Sequence, residues 1–302
     1  MAPAPHMARR HYPRVLVQLL WRMRLDLLVM AALCLGAGAI APVKLSPFLA
    51  ADGLQSTLGI AVSVFLAFRN TQAINRWWEA RSLWGAVVNQ SRQWRDCLLA
   101  VLPPTRQYRR EQRRLLQLQV LLVWLLNFEL RGFAQAQLRQ RVVQLAVSIG
   151  CAPGVTVQQL CRRRALALQR LFEQGAICDV ARDALIRSAE ASTQAIGGLQ
   201  KIRNTPIPPA YDAFVRLIAW LYGYELFINF EDSGLPLIGV LLFFGFLVAE
   251  RIGAYVEGPF DRDPHSFSLP LDQICLGISD DLLDDANPFA DCPRCTDPSI
   301  WT

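Results

Sequence analysis

Lysine is almost missing from this chain: Lys44 and Lys201 are the only two, so arginine carries the net charge of +6. Charge of either sign is scarce, with Asp, Glu, Lys and Arg at 19% of residues, where a soluble domain has about a quarter. The shortfall points to lipid as part of the solvent. The arginines are not gathered into a tract with interleaved aromatics for base stacking, which excludes a nucleic-acid-binding face. Histidine is equally sparse, with His6, His11 and His265 all in the terminal segments. No Gly-rich phosphate loop follows a strand and no Gly-x-Ser-x-Gly motif occurs, so no enzyme site and no cofactor are expected. Strand-like alternation is sustained nowhere, and no internal repeat is present. The eight cysteines are scattered, with Cys34 inside an apolar run, which suits reduced thiols rather than a disulfide framework. Cys292-Pro-Arg-Cys295 has no second pair or nearby histidine to complete a metal site. Residues 1–24 have no apolar core followed by a small-residue cleavage site, and read as a cytoplasmic leader.

Hydrophobic residues make up 53% of the chain and are concentrated in four runs, 25–41, 54–68, 214–230 and 235–249. Each is at or below the roughly 17–25 residues of an independent membrane span. Their flanks let the helices continue, and no Pro or Gly follows the second run until Gly85. One long helix is therefore expected to begin in lipid and end in water. Arg9, Arg10, Arg14, Arg22 and Arg24 precede the first run, and Arg69, Arg76, Arg81, Arg92 and Arg95 follow the second. The connection 42–53 has one Lys and one Asp, and 231–234 has no positive charge. The positive-inside rule then puts both termini and the middle of the chain in the cytoplasm.

Leucines spaced three and four apart predict helices over 109–130 and 157–173. A further helix is expected over 179–203, ending before Thr205-Pro206-Ile207-Pro208-Pro209. The chain thus divides into a leader (1–24), two spans (25–102), a cytoplasmic helical domain (103–205), two more spans (206–257) and a cytoplasmic tail (258–302). The tail is expected to hold one short amphipathic piece, 269–283, and to lose order beyond it.

The second apolar run has a pattern of its own. Ile60, Val64 and Phe68 recur every four residues and form one stripe, beside a stripe of small residues, Gly59, Ser63 and Ala67. Small residues at this spacing let membrane helices approach closely. In a ring of copies the small stripe would meet the neighbour and the bulky one the axis. The result is three stacked apolar collars, the kind of constriction that gates by dewetting. Gln72 and Asn75 follow, placed to rehydrate an emerging ion. Spacing alone favours a stripe that faces lipid or another helix. Asp26, Arg216, Glu225 and Glu250 lie in or beside apolar runs and are expected to pair with one another or with neighbouring charges.

Phe65-Leu66-Ala67-Phe68-Arg69-Asn70, Asn75-Arg76-Trp77-Trp78-Glu79-Ala80-Arg81 and Leu83-Trp84-Gly85 resemble the second-helix signature of the bestrophin family, most closely its short bacterial branch. Thr205-Pro206-Ile207-Pro208-Pro209-Ala210-Tyr211 is similar to the segment leading into that family's third span. Glu257-Gly258-Pro259-Phe260 followed by Leu269-Pro270-Leu271 resembles its post-membrane motif. The resemblance implies an all-α membrane protein with four transmembrane helices and a cytoplasmic helical domain, assembled as a homopentamer around one central pore. It puts the pore neck at Ile60, Val64 and Phe68 and a second, cytoplasmic constriction at Val180. Asp179 beside it reads either as a ring of negative charge or as an ordinary helix N-cap. Two departures stand out from animal members. Val64 replaces an aromatic, and Asp261-Arg262-Asp263 supplies few of the about six to eight oxygens a calcium ion takes. No metal site is assigned. Asp280, Asp281, Asp284 and Asp285 are expected to form a solvated helix face.

The expected activity is passive conduction of monovalent ions in the cell membrane, with further copies of the chain, the bilayer and the permeant ions as partners. Arginines near the inner end of the pore helix favour anions; a non-aromatic collar and an Asp179 ring favour cations. The balance tips to chloride over sodium or potassium. A non-conducting membrane scaffold is the alternative from another class.

Overall fold

The computed structural model describes residues 12–37, 54–261 and 267–294. Among them all regular structure is helical: α1 (Tyr12–Arg22), α2 (Arg24–Ala37), α3 (Leu54–Val101), α4 (Arg106–Arg131), α5 (Ala136–Ser148), α6 (Val157–Glu173), α7 (Asp179–Asn204), α8 (Pro209–Asp232), α9 (Pro236–Val256) and α10 (Leu271–Leu283). The chain forms two compact units, Met1–Trp78 with Pro206–Pro259, and Glu79–Thr205 with Phe260–Thr302. Residues 38–53, His6, His11, Arg262, Asp263, His265 and Cys295 lie outside the described residues.

The first unit is built on the α8–α9 hairpin. Pro209 and Pro236 open the two helices, where a missing N–H costs nothing. Gly234, at φ 74°, turns the chain between them. The helices touch closely because glycine is where contact is tightest: a Cβ at Gly239 would lie 2.8 Å from the Phe227 Cα, a backbone atom that cannot give way. Phe243 is buried under Gly223 in the same way. The α2 helix packs on both members of the hairpin. Outward, Leu217 and Leu221 on α8, Leu237 and Leu241 on α9, and Leu25, Leu28 and Leu35 on α2 are each more than half exposed. An apolar surface of that extent marks contact with lipid or another protein. The Gln55–Val101 stretch of α3 and the whole of α9 are long and apolar enough to cross a membrane.

In the second unit α4 is the central element. Its N-terminus is capped by Thr105, whose hydroxyl accepts the Tyr108 N–H, and it ends at Gly132, left-handed at φ 62°. Leu121, Leu122, Val123, Trp124 and Leu126 are fully buried, an all-round burial that α5, α6, α7 and α10 create by packing against the helix. The α6 helix, opened by a Thr156–Gln159 capping box, has the bounds its leucine spacing predicts. One polar network crosses this core. Buried Arg164 donates to the Gln119 Oε1 at 2.8 Å and the Ala189 carbonyl at 2.9 Å and lies over the Trp94 ring. Gln119 in turn donates to Ser91 Oγ at 3.0 Å. Burial lowers the pKa of this guanidinium from the ordinary arginine value.

Three expectations change. The α5 helix was not anticipated, although Leu138, Val142 and Leu145 sit at i, i+4 and i+7 and are all buried. The tail keeps its order past 283: a 3₁₀ turn over Asp284–Ala286 leads to Phe289, which stacks on Trp124 with ring centroids 4.7 Å apart. Nor is the acidic cluster a freely solvated face. Arg92 on α3 reaches Asp281 at 2.7 Å, and Arg294 pairs with Asp280.

Two substitutions test this packing. Phe289→Ala should destabilise the second unit by about 3–5 kcal/mol, as for buried aromatics generally, read as a lowered melting temperature in detergent with increased quenching of Trp124. Gly239→Val should prevent the α8–α9 hairpin from closing, read as loss of the monodisperse species on size exclusion.

Candidate functional site on the long helix

Across its 48 residues α3 has no break, so its faces can be followed by periodicity alone. Val62, Leu66, Arg69 and Ala73 are buried against its own chain. On another face Ile60 is 68% exposed, Val64 46% and Phe68 62%, one exposed bulky apolar side chain per turn. Ala67, Thr71, Gln72 and Asn75 continue the exposed surface. The small-residue stripe does not act as one. A Cβ at Gly59 would collide with the Tyr222 hydroxyl, so Gly59 serves the contact of α3 with α8 in the same protomer, while Ser63 and Ala67 remain exposed.

The buried face is held by polar clasps. Arg69, only 1% exposed, donates through Nη1 to the Glu250 carbonyl at 2.7 Å and through Nη2 to the Asp212 carboxylate. Its Nη1 also lies 3.6 Å from the Glu250 carboxylate. Asn70 donates to the Ala249 carbonyl at 3.0 Å. Arg76 donates to the Glu257 carbonyl at 3.1 Å, and the Glu257 carboxylate accepts the Ile207 N–H. The expected pairing of intramembrane charges is present. Asp26 accepts from Arg216 at 3.0 Å and Arg251 at 2.7 Å, whereas Glu225 bonds along its own helix to Asn229.

These clasps weaken one electrostatic argument. Of the arginines near the inner end of the helix, Arg69 and Arg76 both turn to α9. The opposing argument weakens too. Asp179 is the first residue of α7, its N-cap is Cys178, and its carboxylate pairs with Arg182 at 3.3 Å. Asp179 is therefore neither the N-cap nor an unaccompanied acid. Val180 beside it is 77% exposed.

The bacterial/fungal bestrophin family model matches residues 5–284. The chain belongs to that family. It is 29% identical over 237 residues to a voltage-dependent anion channel-forming protein, YneE, of Salmonella typhi, covering 76% of this chain and 74% of that one. It is 27% identical over 234 residues to a protein of the same description, sll1024, from Synechocystis, covering 74% of each. A crystal structure of a bacterial bestrophin homolog from Klebsiella pneumoniae matches at TM-score 0.68 and 25% identity over 88% of this chain and 97% of that one. In this bestrophin, then, the stripe at 60, 64 and 68 enters the second-helix signature at Phe68, and all three side chains are exposed in the single protomer. The orientation of Arg69 was missed at the sequence level. Its signal was a charge directly after an apolar run and about 100° round the helix from Phe68.

Thiol labelling separates a water-lined stripe from a lipid-facing one. With cysteine at 60 or 64, a charged methanethiosulfonate should react in the membrane-embedded protein; with cysteine at 62 or 66 it should not. Unreactive stripe positions would mean that lipid covers them.

Proposed function

We propose that five copies of this chain surround a central pore through which anions, chloride among them, cross the cell membrane passively. The observation that carries the reading is the exposed stripe Ile60, Val64 and Phe68, which enters the second-helix signature at Phe68. Burial by symmetry gives those side chains a place: a five-fold axis along that face stacks them as three apolar rings. An ion entering such a ring loses hydration without compensation, so the rings set the barrier to passage. Below them Gln72 and Asn75 offer amide groups to an emerging ion.

The four apolar segments span the bilayer in this reading, with the bare leucine faces of α2, α8 and α9 against lipid. Arginine asymmetry puts both termini inside. Val180 forms a second constriction on the cytoplasmic side. The anion preference is supported by the description of the curated relatives as anion channel-forming proteins rather than by Arg69 and Arg76, which turn to α9.

Liposomes containing the purified protein test the proposal directly. Wild type should pass chloride, and Phe68→Ala should raise the flux on the order of tenfold, the effect of lowering a barrier by about 1.4 kcal/mol. Under a potassium chloride gradient the reversal potential should move towards that of chloride. Movement towards potassium would reverse the selectivity and leave the pore intact; absence of flux from both proteins would favour a scaffold.

A further inference from the structure

We infer that Arg69 is a positioning residue for the Phe68 collar: its clasp on Asp212 and α9 fixes the rotation of α3, and with it how far Phe68 projects towards the axis. This rests on the pore reading above. Phe68 and Arg69 are consecutive and about 100° apart on a rigid helix, so neither can turn without the other. One is largely exposed and the other is 1% exposed.

The clasp has two points along α3. Arg69 and Asn70 hold the carbonyls of Glu250 and Ala249. Two turns on, Arg76 holds the carbonyl of Glu257, whose carboxylate is fixed in turn by the Ile207 N–H. A single contact would leave the helix free to roll. Two on the same face set both rotation and height. Gly253 makes room for the upper point, because a Cβ there would lie 3.1 Å from Arg69 Nη1 and would overlap Asn70 Oδ1.

Stability does not account for this arrangement. A buried ion pair rarely outperforms apolar residues of equal volume, since desolvation offsets the attraction. Here both Glu250 carboxylate oxygens and Arg69 Nε have no hydrogen-bond partner among the described residues. What such a cluster does supply is a single register, as buried polar groups do in helical assemblies. The charges alternate across four helices: Arg69 on α3, Asp212 and Arg216 on α8, Glu250 and Arg251 on α9, and Asp26 on α2. Rolling α3 would break the pattern at several points at once.

The test is non-additivity with the collar. Arg69→Gln, Arg69→Lys, Asp212→Asn and Asn70→Ala are each reconstituted alone and in the Phe68→Ala background, with size exclusion reporting assembly and single-channel current reporting conduction. Arg69→Gln and Asp212→Asn should change unitary current by about threefold or more, within the range of coupling between residues in contact. Arg69→Lys should restore part of the wild-type current, because it keeps the charge and loses the fork. In the Phe68→Ala background the same substitutions should change current less than about twofold. Equal fold-changes in both backgrounds, or none in either, overturn the inference, and Asn70→Ala carries the comparison if the charge variants do not assemble. If neither wild type nor Phe68→Ala conducts, it is the pore reading that fails.

Discussion

The two opposed faces of α3 constrain everything else in the first unit. One face is tied down by guanidinium and amide groups reaching backbone carbonyls near the end of α9. The other carries large apolar side chains that stay exposed among the described residues, with the hairpin packed on the first face. A bare apolar strip of this kind is stable only against lipid or against symmetry mates. The proposed five-fold ring answers that demand and turns the strip into a barrier for ions.

The second unit follows a different logic, one common to soluble proteins. It wraps four helices round α4 and pairs its charges locally, as Arg92 with Asp281 and Asp179 with Arg182 illustrate. Its buried Arg164 donates through both Nη atoms and leaves Nε without a partner among the described residues, as Arg69 does in the first unit.

Much of the fold was legible in the sequence, because helix periodicity and capping are local. The α6 bounds follow from leucine spacing and the Thr156–Gln159 box, and the α8 start follows from Pro208-Pro209. What was not legible is long-range. The Phe289–Trp124 stack joins positions 165 apart in number, and no local signal distinguishes Phe289 from an aromatic in an unstructured tail. The α5 helix was legible but overlooked, since its apolar positions are few and its neighbours strongly polar. The candidate stripe itself was readable from i, i+4 spacing, but its exposure was not, because spacing cannot say which face a helix buries.

Selectivity is where counting charges along the chain fails most clearly. A run of arginines after an apolar helix suggests a positive mouth, and an aspartate beside a constriction suggests a negative ring. In the folded chain Arg69 ends on Asp212, Arg76 on a carbonyl, and Asp179 on Arg182. Arg69 with Asp212, and Asp179 with Arg182, each act at a distance as a dipole, whose field falls off faster than that of a lone ion and is screened further by salt, whereas Arg76 on a neutral carbonyl keeps its charge. The nearest formal charge to the proposed neck therefore exerts little pull on a passing ion. In the proposed ring its effect would be mechanical: by holding α3 in one rotation it would set how closely five phenylalanines approach. In such a neck size and wetting set the barrier for either sign, and preference for an anion must come from unpaired polar groups elsewhere on the path.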